Sequence, residues 1–463
     1  LSYKMSRKIA IVGATPEAFI QLGLLVNNRR YDAREKYGDD EFTLIHDPDK
    51  VYPYMLSGIG VAFQEILERE IFFTKRVLEK YCNGVDSCGY KYVGWGNRRD
   101  KNFMVSGCSN TFDIEALRKL FLDDGGKIFG DKVSIIQQTI DSFEVTDEIC
   151  KINGNEYDYV IDCSEKNPLG WEDDYMNPSV VFSNTALIFD NPKAGHWNYT
   201  IEYAAQYGHI VGIPLQDKQR WVYLYDSSIC TKEQVIEDFK GVFPETFINL
   251  SLNNNWNEND FITHEWKPKI SNYVIHPNNK RYMRNGAALI NIEPGAPGTS
   301  AESSAFIAEQ ICRYLFNENA RDREVHDHML QLQFSSFIIQ TLQSFLCFTY
   351  QYGSRHDTPY WNRIKKEATE YLNSPVFSHP GVFAGHKFLD NIISETFTEE
   401  DFRIAHHSQN ASGALILPYS WMNNANMFYE YSLGLGSPYS HLLSTLGNVD
   451  PPEPFGEIGY DCI

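Results

Sequence analysis

The sequence predicts an α/β protein: a Rossmann-like core that opens with a parallel βαβ unit, followed by a mainly helical C-terminal region. Three observations predict it. Lys8-Ile9-Ala10-Ile11-Val12-Gly13 is a short apolar run that stops at a turn, as a fully buried strand does. From Pro16 to Val26 the apolar residues Ala18, Phe19, Leu22, Leu25 and Val26 recur at helical spacing, and Phe42-Thr43-Leu44-Ile45 then reads as a second strand. Strand, turn, helix and strand fit within about 40 residues, the size of a nucleotide-binding unit. From Gln331 onward the apolar spacing is mainly helical.

The start of that first helix has its own chemistry. Pro16 suits the first helical position, and Glu17 lies in the first turn, where the helix dipole favours an acid. A dinucleotide turn wants G-x-G-x-x-G, so that backbone approaches a pyrophosphate and helix packs on strand. Here the three positions are Gly13, Thr15 and Ala18, with Ala14 between the first two. Thr15 puts a side chain where phosphate lies, although its hydroxyl can donate. The acid that holds a ribose falls at His46, with Asp47 one step later. The turn alone leaves two readings open: a nucleotide site with altered residues, or a βαβ unit that has lost its cofactor.

Composition narrows the function classes. The 463 residues are 43% hydrophobic and 14% aromatic, enough for a large core in two or three layers or domains. The net charge of −20 repels phosphate backbones and anionic lipids, which argues against nucleic-acid and membrane-surface roles. No apolar run approaches the roughly 20 residues of a membrane span, and the first residues lack the apolar stretch of a secretion signal. Nine scattered cysteines without C-x-x-C spacing point to reduced thiols and a cytoplasmic protein. Without repeats or low-complexity linkers, residues 1–330 are expected to form the core with an interleaved substrate-side sheet. Residues 331–463 are expected to form a helical cap packed with it as one unit.

The remaining elements follow in order. Val51 to Gly84 reads as helix, with Phe63, Ile66, Leu67, Ile71 and Phe72 on one face. Val85 to Trp95 reads as strand. Asp113 is a plausible N-cap for a helix that buries Ile114, Leu117, Leu120 and Phe121 and ends at Asp123-Asp124-Gly125-Gly126. Strands follow at 133–136, 142–145 and 157–164, and residues 180–270 are strand-rich. Within them, Gly208-His209-Ile210-Val211-Gly212-Ile213-Pro214-Leu215 and Arg220 to Ser228 form a hairpin. Thr231 with Gln234 makes a capping box for the next helix.

Several of these stretches resemble, in order, those of flavin-dependent halogenases of the tryptophan type. Gly208 to Pro214 resembles the G-W-x-W-x-I-P segment, with His209 and Val211 in place of the tryptophans. Asn83 to Trp95 aligns without gaps with N-G-x-x-K-x-x-x-K-F-x-x-W, which places Ser87 at the catalytic lysine and Lys91 at the second lysine. Tyr157 to Ser164 resembles D-x-x-I-D-C-S-G, with Glu165 in place of the glycine. Asn285 to Ser300 resembles I-G-x-A-x-x-x-x-E-P-L-E-S-T-G, sharing Gly286, Glu293 and Pro294 and placing Ala296 at the glutamate. Ser354-Arg355-His356-Asp357-Thr358-Pro359-Tyr360-Trp361 resembles S-R-x-D-T-P-F-W, and Trp421 to Pro438 resembles the terminal helix.

The resemblance implies an FAD-binding, flavoprotein monooxygenase-type core. It implies that a separate flavin reductase supplies reduced FAD and that halide becomes hypohalous acid, which attacks a small aromatic substrate. Gly13, Ala14, Thr15, Ala18, Asp47, Gly286 and Pro294 would hold the cofactor, and Gly298, Thr299 and Ser300 the halide. Glu302 would serve as acid/base if a short insertion brings it into the site; otherwise it is a charge at a helix start. Lys91, about 13 Å along the strand from Ser87, is either a substitute donor or a solvated lysine. The family's long lid insertion between Trp95 and Thr111 is missing, which implies an open site, varied electron-rich arenes, and bromide or iodide over chloride. The departures mark a divergent member of the kind virus genomes carry. Two other readings remain: a catalytically degenerate binding or assembly protein, possible as a homo-oligomer, and a flavin monooxygenase without halide chemistry.

Overall fold

The computed structural model describes residues 6–27, 40–50, 58–60, 68, 74–94, 103–129, 133–164, 169–170, 172–192, 198–246, 260–292, 299–317, 319–334, 343, 346–347, 350 and 356–372. The chain begins β1 (Lys8–Val12), α1 (Pro16–Asn27), β2 (Glu41–His46), β3 (Gly58–Gly60) and α2 (Lys75–Tyr81). Next come β4 (Val85–Val93), β5 (Phe103–Thr111), α3 (Ile114–Phe129) and β6 (Val133–Gln137). A small meander of β7 (Phe143–Val145), β8 (Cys150–Ile152) and β9 (Asn155–Tyr157) leads into β10 (Tyr159–Asp162). The middle of the chain holds β11 (Tyr175–Met176), β12 (Thr185–Asn191), β13 (Thr200–Ala205), β14 (Gly208–Pro214), β15 (Gln219–Tyr225) and α4 (Lys232–Thr246). After β16 (Ile262–Glu265), β17 (Lys269–Ser271), β18 (Tyr282–Arg284) and β19 (Ile290–Asn291) come the helices α5 (Thr299–Phe316), α6 (Ala320–Gln333) and α7 (Pro359–Leu372).

Two sheets organise these elements. The first is a five-stranded parallel sheet in the order β18-β10-β1-β2-β6. The expected βαβ unit is at its centre, and β1 is buried because α1 covers it and packs in turn on α5. Residues Leu22, Leu25, Ile307, Ile311 and Cys312 all belong to that core. The second sheet is eight-stranded, in the order β16-β12-β15-β14-β13-β4-β5-β3. Its register is antiparallel throughout except for β13 beside β4.

The hairpin of β14 and β15 is buried along both strands. Two of its glycines are fixed by contact. A Cβ on Gly212 would lie 2.3 Å from the Trp221 ring, and one on Gly208 would lie 2.0 Å from the Leu224 carbonyl oxygen. The capping box forms as read: Thr231 N donates to Gln234 Oε1 at 2.9 Å, and Gln234 N donates to Thr231 Oγ1 at 3.3 Å.

Four expectations need correction. The helix read over Val51–Gly84 is interrupted by β3, which pairs with the end of β5; the helix stands at Lys75–Tyr81, capped by Thr74. Helix α3 does not stop at Gly125-Gly126 but runs to Phe129. There tertiary packing overrides glycine's poor propensity, since Phe129 packs against Phe121, which stacks on Phe19. The strand that the resemblance implies from Asn285 breaks at Gly286, whose φ of 56° starts a 3-10 turn before β19. Finally, Thr299 and Ser300 are not in a turn ahead of the helix but in the first turn of α5, with Glu302 in that same turn at the helix start.

The Asp357-Thr358-Pro359-Tyr360-Trp361 segment is a docking device. Pro359 takes the first helical position of α7 and Thr358 caps it, accepting from Trp361 N at 3.4 Å. The Thr358 hydroxyl donates to the Gln206 carbonyl at 2.8 Å, and the Trp361 indole donates to Ala205 O at 2.7 Å. The terminal segment 421–438 falls outside the described residues.

Candidate active site

Strands leave β1 in opposite directions on its two sides, through α1 to β2 and across to β10. In an open α/β sheet this switch point leaves a crevice at the carboxyl ends of the strands, where ligands bind. Gly13, Cys163, Ser164, Asn285 and Gly286 meet there.

Gly13 follows β1 with a φ of 105°, a left-handed conformation that favours glycine. An added Cβ would stand 3.0 Å from the Cys163 backbone, so the turn is pressed against the end of β10. Ala14 and Thr15 are buried. Thr15 is the N-cap of α1: its Oγ1 accepts from Ala18 N at 3.2 Å, and its carbonyl accepts from Phe19 N at 3.0 Å. The hydroxyl also hydrogen-bonds the Glu17 carboxyl. Thr15 therefore serves the helix, and the second glycine of the usual turn is replaced by a cap.

Glu17 is half-buried over Gly286. A Cβ on Gly286 would be 3.1 Å from Glu17 Cβ and 3.3 Å from its Cγ. Burial raises the Glu17 carboxyl above the usual range, against hydrogen bonds from its own N–H and Thr15 and the charge of Arg118. Arg118 reaches in from α3, its Nε donating to the Ala14 carbonyl at 2.9 Å and its Nη1 pairing with Glu115. His46 is buried and held below its ordinary pKa, first by desolvation and then by Arg118. Asp47 is buried too, and its two oxygens accept the backbone N–H groups of Asp49 at 2.9 Å and Ile140 at 2.7 Å. Its carboxylate closes a loop.

The floor of the crevice is held by charged residues. Asp162 is fully buried; Oδ1 accepts from Ser164 N and Oγ, and Oδ2 accepts from the Tyr282 hydroxyl at 2.9 Å. Desolvation raises its carboxyl despite these bonds. Asn285 N donates to Asp162 O at 2.9 Å, and Asn285 Nδ2 donates to Ser304 O at 3.0 Å, tying β10 to α5 beneath Gly286. Arg284, fully buried, is enclosed by the rings of Tyr273, Tyr175 and Tyr282 at 4.4, 4.5 and 5.5 Å, and pairs with Asp174 at 3.1 Å.

On the eight-stranded sheet, Ser87 is buried on β4 opposite Ser109. Pairing slips between Ser87 and Gly89, so the strand is irregular before it reaches Lys91. Lys91 is half-buried, with Nζ 5.7 Å from the centre of the Tyr199 ring, and desolvation lowers its pKa. His209, at a tryptophan position of the motif, is buried and bonds through Nε2 to Glu202 of β13. Its Nδ1 lies 3.4 Å from the Tyr350 hydroxyl. The register aligns Glu202 with Val211, the other tryptophan position, and alternation puts Lys91 on the opposite face.

Thus the structure brings together Gly13, Ala14, Thr15, Ala18 and Gly286 at one crevice, with Asp47 at its rim. Lys91 and Ser87 lie on the other sheet. Pro294 and Gly298 fall outside the described residues, as do the side chains of Thr299, Ser300 and Glu302. Sequence reasoning missed Arg118, Arg284 and Glu202, and met Asp162 only as part of the Tyr157–Ser164 motif. Asp162 had a short-range signal in Ser164 two residues on, and Glu202 had one as an acid in a strand flanking the hairpin's histidine; the two arginines had none at short range.

The residues present fit a dinucleotide in most respects. Gly13 gives the backbone approach, α1 offers its N-terminus, Gly286 leaves room opposite, and Arg118 places a cation beside the turn. Among the described residues, Glu17 is the side chain that lies across this approach. Among the described residues, no group of three or more His, Cys, Asp or Glu side chains is arranged to hold a metal ion. Among the described residues, no helix is long and apolar enough to cross a membrane.

Residues 114–414 match the family model for tryptophan halogenase. Among solved structures, a tryptophan halogenase from Shewanella frigidimarina superposes with a TM-score of 0.64 at 14% identity, covering 96% of each chain. A flavin-dependent halogenase from Xanthomonas campestris gives 0.62 at 14% identity, covering 96% of this chain and 97% of that one. A tryptophan 6-halogenase from Streptomyces toxytricini gives 0.62 at 14% identity, over 81% and 84%. At such identities the superpositions show the shared fold. No curated protein matches the sequence.

Proposed function

Because this chain belongs to the tryptophan halogenase family, a class of FAD-dependent enzymes, we propose that it is a flavin-dependent halogenase acting on varied electron-rich arenes, with bromide and iodide favoured. The observation that carries this reading is the crevice at β1, α1, β10 and Gly286, whose backbone suits a dinucleotide. FAD, reduced by a separate flavin reductase, would activate O2 as the two-electron oxidant that turns halide into hypohalous acid.

The chain's own residues would do the rest. Gly13, Ala14, Thr15, Ala18, Asp47, Gly286 and Pro294 would frame the cofactor. The first turn of α5, with Gly298, Thr299 and Ser300, would hold the halide through backbone N–H groups and hydroxyls. Glu302 in that turn would take the proton from the attacked ring. Lys91 would be the second donor; its lowered pKa leaves more of the amine uncharged, the form that captures hypohalous acid. Ser87 fills the place of the family's lysine without its charge. Residues 331–463 would cap the substrate side.

A second reading has a specific observation in its favour. Ser87 at the lysine position, and Glu17 in the phosphate approach, suit a chain that keeps the fold for binding or assembly, as a homo-oligomer among other forms. The test is an assay with FAD, a flavin reductase, oxygen and each halide on phenols and indoles, read by mass spectrometry. Brominated or iodinated product supports the halogenase. Hydroxylated product that ignores halide indicates a monooxygenase, and no product with any halide leaves the binding reading.

A further inference from the structure

The geometry points to the Glu17 carboxylate as the resident anion of the α1 N-terminus: a dinucleotide's pyrophosphate binds there only by displacing or neutralising it. This deepens the reading above and rests on it, because the ligand concerned is the cofactor of that same crevice.

A helix of 12 residues presents unpaired N–H groups at its start, and the dipole favours an anion there. In this chain the position is already served. Glu17 lies in the first turn of α1, beside the Thr15 cap and within the electrostatic reach of Arg118. The side chain lies flat on Gly286, with Gly286 3.1 to 3.7 Å (from its would-be Cβ) from the Glu17 Cβ, Cγ and Cδ. It therefore spans the gap between the α1 turn and the 3-10 turn at Gly286, the two segments a dinucleotide must pass between. Among the described residues, the charged and titratable groups that interact with it are Arg118 from α3 and Cys163 after β10. Arg118 is itself paired with Glu115, and His46 stands within its influence from the end of β2. Arg118, the one cation among these described groups, is held by Glu115 at 3.0 Å, and a pyrophosphate would have to compete for it.

Two like charges brought together where water is scarce repel each other. Removing the Glu17 charge should therefore tighten FAD binding about tenfold or more. A protonated Glu17 repels less, and burial raises its carboxyl, so wild-type affinity should rise as the pH is lowered across the range in which the fold is stable.

The experiment is a fluorescence titration of FAD, and separately of ADP and of riboflavin, into wild type, Glu17→Gln and Glu17→Ala over that pH range. Thermal melts of each protein check folding. The expected result is FAD and ADP affinity increased about tenfold or more in both variants, with the pH dependence flattened and riboflavin unaffected. Glu17→Gln keeps the shape and removes the charge, so it carries the test if Glu17→Ala is poorly folded. FAD binding in wild type at an affinity equal to that of the variants overturns the proposal and leaves the flavin reading standing. Failure of all three folded proteins to bind FAD or ADP overturns both.

Discussion

Glu202 and His209 face each other across β13 and β14 as a hydrogen-bonded pair of buried titratable groups, with the Tyr350 hydroxyl 3.4 Å beyond the imidazole. The motif that this segment resembles has an aromatic side chain at position 209. Here a polar chain runs through the same layer, and Phe182, stacked on Tyr350 at 4.5 Å, supplies the apolar packing. Burial raises the Glu202 carboxyl, and His209 partly offsets it.

Removing either partner takes the strongest polar contact from the other, a buried group. Glu202→Ala or His209→Ala should each cost about 3–5 kcal/mol in urea denaturation, whereas the double replacement Glu202→Leu with His209→Leu should cost less than either. A double-mutant cycle in which the two single losses simply add would show that the pair is not coupled.

The hairpin glycines should rank by what they touch. Gly212→Ala pushes a methyl into the Trp221 ring and should cost about 1–3 kcal/mol. Gly208→Ala meets the Leu224 carbonyl, which is held in the sheet, so it should cost more. Pairing Gly212→Ala with Trp221→Phe should recover part of the first loss and none of the second; equal recovery at both sites would contradict this account.

Arg284 binds β18 to the Asp174 segment through three tyrosine faces. Arg284→Lys keeps the charge but loses the planar group, and should cost about 3–5 kcal/mol. Near-ultraviolet circular dichroism should report the loosened tyrosines. An unchanged tyrosine signal and midpoint would mean the cage contributes little.

A pH effect follows from Asp190. Burial alone would raise its carboxyl, but Arg220 at 2.8 Å and Lys218 at 3.2 Å outweigh it and hold it below the usual value. For a depressed acid the contribution to stability is complete above the unfolded pKa of about 3.9 and disappears as pH falls through the folded value. Asp190→Asn should therefore be less stable than wild type at pH 6, with the gap closing towards pH 3. A gap that stays constant would assign the ion pair no part in acid stability.

What the sequence revealed and what it hid divide along contact range. The βαβ unit, the hairpin and the Thr231 box were legible because their signals lie within a few residues. So were the turn positions Gly13, Thr15 and Ala18. The use made of Thr15 was not, because the choice between capping a helix and meeting a phosphate depends on Glu17 two residues on and Arg118 over a hundred residues away. The continuation of α3 through Gly125-Gly126 was hidden for the same reason: Phe129 is worth burying only once Phe121 and Phe19 are in place. The break at Gly286 needed knowledge of its φ.

The backbone carbonyls of Ala204, Ala205 and Gln206 accept, one each, from His356, Trp361 and Thr358. These three acceptors sit at the tight bend joining the strands of Glu202 and His209, and residues far along the chain quench them. A chain cut short before position 356 would present an adhesive lip at that bend, hungry for donors from any neighbour. Shortened versions of this protein should accordingly clump, and grafting the 356–372 helix back as a separate peptide should disperse them.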